Sequence, residues 1–445
     1  MSDRERYPSL SPDGKRMLDF MREHPAAPVY RNSSGNKLLA HEVEALRYFE
    51  REVMDANVGW EPGSTPDWLT AHAAKCFATV PHYKALGSPP RRFLDIAPVS
   101  RADLAADIAQ FVPDDADIAR MINFRTTGTT GHRLLIASHP VVAGSYLAFH
   151  KRALKRFGVE LAHGRGQVGV VLLGFQRACF TYVSVTPTMD ESGLAKVNLH
   201  PDDWRRPEDR ATYLDALAPE IIAGDPISFA ELLNVPMTAR PRALISVSML
   251  LLPGLRTLLE QRFGCPVLDI YSLNEVGPVG VFDAALGGHL LLQPRLFVEI
   301  LDGEGQPVAT GERGEITVSG GFNFCLPLLR YRTGDYASMA YTPDGPVIIG
   351  LSGRRPVRFM TEGGSWINNI DVTHALHPLA IAHFGFHQRR DGSLVLRLGA
   401  GAMPFAQQAV SALAALFGAQ AIDVELLVEE DKIVQYSSEF TGANT

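Results

Sequence analysis

The feature that most constrains the fold is an alternation, over residues 120–350, of short apolar runs with stretches of helical periodicity. The run QVGVVLLG at 167–174 and the residues 243–247 have the length and aliphatic content of buried strands. Between such runs, LRTLLEQRF at 255–263 has the spacing of a helix. Because strands that alternate with helices favour a sheet covered by helices, the pattern predicts an α/β fold with mixed sheets.

The region before this pattern is mostly polar and predicts helices over about the first 120 residues. One helix is expected to begin at Ser100, because Asp103 stands three positions later and can complete a capping box. Further along the chain, residues 296–302 and 314–319 alternate as the two strands of a hairpin do.

After Gly353 the pattern predicts a smaller α+β unit that follows a short hinge. It contains a hairpin at the Asp391-Gly392 turn, an Ala-rich helix over 405–416 and a final strand over 422–429. We therefore expect a domain boundary close to residues 352 and 353.

Composition excludes several classes of protein. The chain has 445 residues, of which 46% are hydrophobic and 20% charged, so it can bury a sizeable core and is not disordered. The net charge of −7 without a long basic run argues against nucleic-acid binding. The longest apolar run, at 168–175, is far shorter than the ~20 residues of a membrane helix, and no signal-peptide pattern stands at the start, so we expect a cytoplasmic protein without a membrane partner.

The cysteines and histidines do not indicate a metal centre. Cys76, Cys179, Cys265 and Cys325 lie far apart; two disulfides could form in principle, but reduced, buried thiols are the simpler expectation. Four histidines fall within 374–387, but no cysteine or carboxylate completes a ligand set there.

Three segments can carry chemistry. The first, TTGTTG at 126–131, combines hydroxyls with two glycines, whose backbone N–H groups can close on phosphate oxygens; it lacks the lysine of a P-loop. The second, DIYSLNEVG at 269–277, ends a predicted strand and places Glu275 where a carboxylate can bind Mg²⁺. The third, LRYRTGD at 329–335, places Asp335 after a tight Thr-Gly turn, where it can accept hydrogen bonds from a ribose diol. Each segment alone is a weak signal.

Taken together and in this order, the three segments resemble the adenylate-forming superfamily of acyl- and aryl-CoA ligases, most closely its phenylacetate–CoA ligase branch. Other elements extend the resemblance over most of the chain: VPHY at 80–83, IAPVSRADL at 96–104, GDPIS at 224–228, VEILD at 298–302 with GERGEI at 311–316, and the Gly353-Arg354 hinge.

The resemblance implies a two-domain fold, with a large ATP- and acid-binding adenylation domain over 1–352 and a small mobile domain over 353–445. It also implies a two-step reaction. The carboxylate of a small-molecule acid attacks the α-phosphate of ATP to give acyl-AMP and pyrophosphate, and a nucleophile such as the CoA thiol then displaces AMP. ATP, Mg²⁺ and CoA are the cofactors so implied.

The roles of individual residues follow from the same resemblance. It places the hydroxyl-rich loop on the β- and γ-phosphates, Tyr271 against the adenine, Glu275 on Mg²⁺ and Asp335 on the ribose, with Arg354 nearby. The family's late catalytic lysine matches Lys432, whose compact charge can bridge the acid and the α-phosphate. The loop residues so assigned are Thr126, Thr127, Gly128, Thr129, Thr130 and Gly131.

The sequence also departs from the family. His132-Arg133 replaces the lysine that usually follows the phosphate loop, and we expect Arg133 to supply the missing charge. Asn274 stands in place of a threonine before the glutamate, and SVSMLL at 246–251 replaces the acidic adenine element. An Arg-Pro pair at 355–356 replaces the acidic hinge pair and stiffens the backbone there.

These departures leave three functions open. The first is transfer of the acyl group to CoA. The second keeps adenylation but passes the acyl group to an amine or to a carrier-protein thiol, as in an amide synthetase or a stand-alone adenylation enzyme of secondary metabolism. The third is a degenerate homologue without turnover. The acid is expected to be aromatic or apolar, and its pocket to be lined by residues around the strand at 167–174, namely Phe175, Phe180, Tyr182 and Met249.

Overall fold

The computed structural model describes residues 2–125, 134–353, 357–428 and 433–440. The chain forms two compact units. Unit 1 contains the described parts of residues 1–36, 159–269 and 356–445, and unit 2 contains those of 37–158 and 270–355. The predictions for Thr126–Gly131, Arg133, Arg354 and Lys432 lie outside the described residues.

The α-helices are α1 (Asp3–Arg6), α2 (Pro12–Glu23), α3 (Ala40–Asp55), α4 (Trp68–Thr79), α5 (Pro81–Ala85), α6 (Arg101–Ala106), α7 (Pro140–Arg156), α8 (Asp209–Leu217), α9 (Pro226–Leu232), α10 (Pro253–Phe263), α11 (Asn369–Leu376) and α12 (Ala406–Phe417). The strands are β1 (Val99–Ser100), β2 (Ile122–Arg125), β3 (Leu135–Ser138), β4 (Val168–Gly174), β5 (Tyr182–Thr186), β6 (Ser192–Asn198), β7 (Ile221–Gly224), β8 (Ala243–Val247), β9 (Val267–Leu273), β10 (Gly277–Asp283), β11 (Gly288–Leu291), β12 (Leu296–Leu301), β13 (Gly314–Gly320), β14 (Leu328–Thr342), β15 (Gly345–Gly353), β16 (Arg358–Met360), β17 (Trp366–Asn368), β18 (Phe384–Gln388), β19 (Leu394–Leu398), β20 (Ile422–Leu426) and β21 (Tyr436–Ser438).

In unit 1 the strands follow the order β8-β7-β4-β6-β5. The pairs β7–β8, β4–β7 and β4–β6 are parallel, whereas β5 runs antiparallel to β6. One face of this sheet is buried by α2 and α9 together with α10, in a cluster that includes Met17, Val183, Val197 and Phe229. The carboxyl ends of β4, β6, β7 and β8 therefore meet at one edge, where α/β proteins bind ligands.

The C-terminal part of unit 1 has a second sheet, in the order β20-β19-β18-β21, and a core of its own around Phe359, Phe386 and Phe417. The predicted hairpin at Asp391-Gly392 and the predicted Ala-rich helix, which is α12, are both confirmed. The prediction that 422–429 forms the final strand is wrong. β20 ends at Leu426, and β21 follows it in parallel with β18; this three-residue strand is too short to show a period in the sequence.

The helical stretch Ala400–Phe417, which includes α12, has a mean hydropathy of 1.2 and could cross a membrane by length and composition alone. Helices that pack in protein cores pass the same test. Ala409, Leu413 and Phe417 are fully buried in the C-terminal core, but only 22% of the stretch is buried.

In unit 2 the strands follow the order β12-β13-β14-β15-β11-β10-β9, all antiparallel, with β1 parallel to β14. The predicted hairpin is formed by β12 and β13, where Val298 pairs with Val318. The helices, together with a mostly parallel sheet in unit 1 and a mostly antiparallel sheet in unit 2, confirm the predicted mixed α/β class. A division of the chain at 352 and 353 remains a prediction.

The four cysteines are free thiols, as expected. Cys76 and Cys325 are buried, but Cys179 and Cys265 are only half-buried, so the expectation of buried thiols holds for two of them.

Candidate active site

Glu275 lies in the tight turn that joins β9 to β10 and is 4% exposed. The sequence predicts it at a strand end of an α/β unit, but the two strands form an antiparallel hairpin. Asn323 holds the turn, because its Nδ2 donates to the backbone oxygens of Glu275 at 3.2 Å and Ala137 at 3.1 Å. Gly277 continues the turn with φ +77°, and a Cβ there would lie 2.4 Å from the Phe322 ring, so only glycine fits.

The Glu275 carboxylate has two partners in unit 2. The Tyr331 hydroxyl donates to Oε1 at 2.9 Å, and the Arg101 Nη1 lies 3.5 Å from the same oxygen. Tyr331 is 1% exposed, and burial together with the neighbouring carboxylate raises the pKa of its phenol well above the usual value. The phenol therefore keeps its proton and remains a donor to Glu275 at neutral pH.

Arg101 reaches Glu275 because two sets of contacts fix the preceding residue Ser100: strand pairing and a helix cap. β1 pairs in parallel with β14, which puts Ser100 beside Arg332. The Ser100 Oγ and backbone N–H both bond to Asp103 at 2.7 Å, which confirms the predicted capping box, and Arg101 is the first residue of α6. The sequence marks this helix start but not the role of Arg101, since nothing local connects it to Glu275.

Tyr271 and Asp335 form the second contact of the site. The Tyr271 hydroxyl donates to Asp335 Oδ2 at 2.8 Å. Tyr271 is 9% exposed, and burial and the Asp335 charge raise the pKa of its phenol well above the usual value. The phenol therefore stays a donor and orients the Asp335 carboxylate.

The sequence predicts that Asp335 follows a tight turn. In the structure it lies instead in a bulge within the continuous strand β14. Glu315 pairs with Tyr336 and Thr317 with Arg332, so β14 carries two extra residues at this point. Gly334, at φ +80°, allows the bulge, and the Thr333 Oγ1 accepts a hydrogen bond from the Asp335 N–H at 3.1 Å. The bulge turns the aspartate side chain out of the regular alternation of the strand.

Arg330 anchors the same strand from inside the core. It is 2% exposed and has a left-handed backbone, φ +49°, which is rare for a residue other than glycine. Its guanidinium pairs with Glu299 at 3.2 Å and donates to the carbonyl oxygens of Leu94, Ile96 and Gly305. Arg330 thus ties the segment that leads to Arg101 onto β14; sequence reasoning assigns it no role.

The structure therefore brings Tyr271, Glu275 and Asp335, which stand up to 64 positions apart, onto neighbouring parts of unit 2. Asn274 is exposed in the same turn as Glu275. The phosphate-loop prediction falls outside the described residues, but its flanking strands β2 and β3 pair with each other, Ile122 opposite Ser138. The roles assigned to these residues remain predictions.

The residues predicted to line the acid pocket lie at the carboxyl-end edge of the unit 1 sheet. Phe175 follows β4 and Met249 follows β8, while Tyr182 begins β5, whose antiparallel direction brings its start to the same edge. Phe180 is 51% exposed, and its ring lies 5.5 Å from that of Tyr182. The Phe175 ring is 6.0 Å from His200, a residue that the sequence analysis does not single out.

The residues present fit a magnesium ion that is shared with a nucleotide. Glu275 offers a carboxylate whose position is fixed by Tyr331 and by the turn. Within the described ranges no group of three or more His, Cys, Asp or Glu residues could hold a metal. Because Mg²⁺ usually takes one or two carboxylates and completes its shell with water and phosphate oxygens, a single carboxylate suits it. When bound, the ion would neutralise phosphate charge.

Comparison with known proteins places the fold. A 2-hydroxyisobutyryl-CoA ligase structure in the postadenylation state, in complex with R3-HIB-AMP, aligns with a TM-score of 0.60 over 90% of both chains at 15% identity. An open conformation of the same ligase, in complex with 2-HIB-AMP and CoA, aligns with a TM-score of 0.52 over 88% of this chain and 90% of that one, at 16% identity.

Sequence comparison gives a shorter match. The phenylacetate-coenzyme A ligase of Escherichia coli strain K12 is 36% identical over 86 residues, which are 18% of this chain. The match spans about a fifth (20%) of that ligase's length. No family model matches the chain.

The fold is therefore that of an adenylate-forming CoA ligase, as the sequence motifs imply. A stretch of 86 residues is similar to phenylacetate-coenzyme A ligase, the branch that the motifs indicate.

Proposed function

We propose that this protein activates a carboxylic acid with ATP and transfers the acyl group to CoA. In the first step a carboxylate oxygen bonds to the α-phosphorus and the bond to pyrophosphate breaks. In the second the CoA sulfur bonds to the acyl carbon and AMP leaves. The proposal is supported by two contacts in a ligase fold, Tyr271–Asp335 and Tyr331–Glu275, which orient the proposed diol acceptor and the proposed metal-binding carboxylate.

Four residues of the site bind or orient the nucleotide in this proposal. Asp335 accepts hydrogen bonds from the ribose hydroxyls, and Tyr271 keeps its carboxylate in place. Glu275 would hold Mg²⁺, which would neutralise charge on the phosphates. Arg101, 3.5 Å from Glu275, adds positive charge where the pyrophosphate leaves, which favours a transition state that gains negative charge there.

Two further roles rest on the sequence. Lys432 bridges the acid and the α-phosphate in the first step, and Arg133 supplies the charge of the lysine missing after the phosphate loop. Loss of the first step in Lys432→Ala, with an unchanged unfolding transition, is the expected result for the lysine.

The acid is proposed to be aromatic. Tyr182 and the exposed Phe180 form a ring pair at the carboxyl-end edge of the unit 1 sheet. Phe175 packs against the unit 1 core, and its ring lies 6.0 Å from that of His200. Flat rings of this kind pack favourably against an aromatic substrate.

The direct test is acid-dependent exchange of labelled pyrophosphate into ATP over a panel of aromatic and aliphatic acids. Glu275→Gln and Asp335→Asn should each reduce the exchange by two orders of magnitude or more, roughly the loss seen when one preorganised charged group is removed. Glu44→Gln, an exposed glutamate of α3, is the matched control and should leave the rate unchanged. A wild-type protein that is inert with every acid, although folded, contradicts the proposal.

The acceptor is tested separately. With an active acid, product mass spectrometry in the presence of CoA, of amines or of a phosphopantetheinylated carrier protein identifies the acyl product. An acyl-CoA is expected. An amide or an acyl-carrier product would keep the adenylation half of the proposal and replace CoA as acceptor.

A further inference from the structure

Lys196 stands at an unusual place in unit 1. It lies on β6, which has a neighbouring strand on each side, and it is only partly exposed. Lysine is among the residues that are rarely buried unless their charge is paired. Because Lys196 is partly withdrawn from water, a neighbouring anion would stabilise its ammonium.

The strand register identifies the neighbours of Lys196. Tyr182 is directly opposite it on β5, and Leu172 is its partner on β4. Side chains paired in this way share a face of the sheet, at about 5 Å between Cβ atoms for the antiparallel pair. The adjacent residues Ala195 and Val197 belong to the core on the other face. Lys196 thus shares its face with Tyr182, one of the residues predicted to line the acid pocket.

No carboxylate of the described residues pairs with the Lys196 ammonium. Two acidic groups whose charges act on Cys179, as the Lys196 charge does, have other partners. Asp203 accepts from Arg31 Nε at 2.7 Å and from Asn198 Nδ2 at 2.8 Å, and Asp225 caps α9 through the Ser228 N–H at 2.7 Å. The Lys196 charge also acts on Cys179, since it lowers the pKa of that thiol against the larger effect of burial, which raises it. Lys196 therefore lies near the 175–181 loop that follows β4.

We propose that Lys196 determines the specificity of the acid pocket, and that the acid activated here is an aromatic acid with a second carboxylate, which pairs with the Lys196 ammonium. This inference rests on the proposed adenylation. The inference adds that the second carboxylate, which does not react, pairs with the ammonium on β6. A charged group is favoured over a neutral one because only an anion compensates a partly desolvated ammonium.

The experiment compares matched acids in the pyrophosphate-exchange assay: benzoate with isophthalate and terephthalate, and phenylacetate with 4-carboxyphenylacetate. The wild-type protein should prefer the diacids in kcat/KM by roughly tenfold to hundredfold, the usual effect of a hydrogen bond to a charged group. Lys196→Met, which keeps the aliphatic stem, should abolish the preference without slowing the monoacids. Lys196→Arg should retain it. Lys15→Met, which removes an exposed lysine of α2, is the control for overall charge.

The activity of Lys196→Met towards monoacids shows whether the variant folds. Lys196→Glu should reverse the preference towards 4-(aminomethyl)benzoate, whose ammonium replaces the second carboxylate. If the wild type uses monoacids and diacids equally, or if Lys196→Met keeps the wild-type ratio, Lys196 merely extends into solvent and the inference is overturned while adenylation stands. If no acid supports exchange, the proposed function fails and this inference fails with it.

Discussion

The Tyr271 hydroxyl lies 2.8 Å from Asp335 Oδ2 and so connects the end of β9 to the bulge of β14. These residues are 64 positions apart, and each belongs to a different motif of the sequence. The hydrogen bond is partly buried, and its charged acceptor makes it stronger than a neutral one. It gives the proposed ribose-binding carboxylate a fixed orientation before a nucleotide binds.

If Tyr271 orients Asp335, Tyr271→Phe should raise the KM for ATP in pyrophosphate exchange by roughly tenfold and change kcat little. The reason is that a hydrogen bond to a charged group contributes about 1.5 kcal/mol or more. Tyr336→Phe is the control, since the hydroxyl of Tyr336 bonds to no described residue. An unchanged KM in Tyr271→Phe would show that the ribose does not depend on this contact.

Substitutions of Tyr331 and Glu275 should have non-additive effects on the free energy of unfolding. Tyr331→Phe leaves a buried carboxylate without its hydroxyl donor, and we expect a loss of about 1–3 kcal/mol in the free energy of unfolding, measured by urea denaturation. In the Glu275→Gln background, Tyr331→Phe should lower the free energy of unfolding clearly less than it does in the wild-type protein. The double-mutant cycle should therefore give an interaction energy of about 1 kcal/mol or more. Additive effects would mean that the contact at 2.9 Å contributes nothing measurable.

Replacing only one member of the Arg330–Glu299 ion pair should strongly destabilise unit 2. Arg330→Met leaves Glu299 buried without its cation, and removal of one partner of a buried ion pair costs about 3–5 kcal/mol. The double variant Arg330→Met with Glu299→Leu should recover a large part of the loss in urea denaturation. Recovery is the decisive readout, because simple overcrowding of the core would make the double variant worse than either single one.

Asp269 predicts a distinct pH dependence. Burial raises its pKa to about 7 in the folded protein, against the partial effect of Arg256, 3.9 Å away. Above pH 4 the unfolded chain loses this proton while the folded one keeps it, so the group stabilises the fold at low pH and that stability is lost as the pH rises to about 7.

Asp269→Asn carries no such proton. The difference in unfolding free energy between Asp269→Asn and the wild type should therefore shift in favour of the variant by about 1.4 kcal/mol per pH unit between pH 4.5 and 6.5. Urea titrations at several pH values measure it. A difference that does not vary with pH would contradict a raised pKa at Asp269.

Local patterns predict much of this fold. The strand β8 coincides with the predicted 243–247, and the helix start at Ser100 has the capping box that the sequence indicates. Both depend on residues within a few positions of each other: a short aliphatic run for the strand, and a serine three residues before an aspartate for the helix. Such signals are complete within one segment of the chain.

Local patterns fail where the cause is distant in the sequence. The Thr-Gly-Asp segment suggests a turn, but its pairing with β13 makes it a bulge inside β14. The left-handed backbone of Arg330 and its buried charge depend on Glu299, Leu94 and Ile96, none of which marks Arg330 in the sequence. The strand β21 is visible only through its partner β18.

The amino-acid order by itself determined the mixed α/β class and several of its helices and strands, together with three motifs that indicate nucleotide chemistry. Hydrophobic periodicity and capping act between near neighbours and can be detected in one chain. The tertiary structure alone decided that Tyr271 meets Asp335, that Arg101 and Tyr331 meet Glu275, and that Lys196 shares a sheet face with Tyr182. Those contacts depend on strand register and burial, which distant parts of the chain establish together.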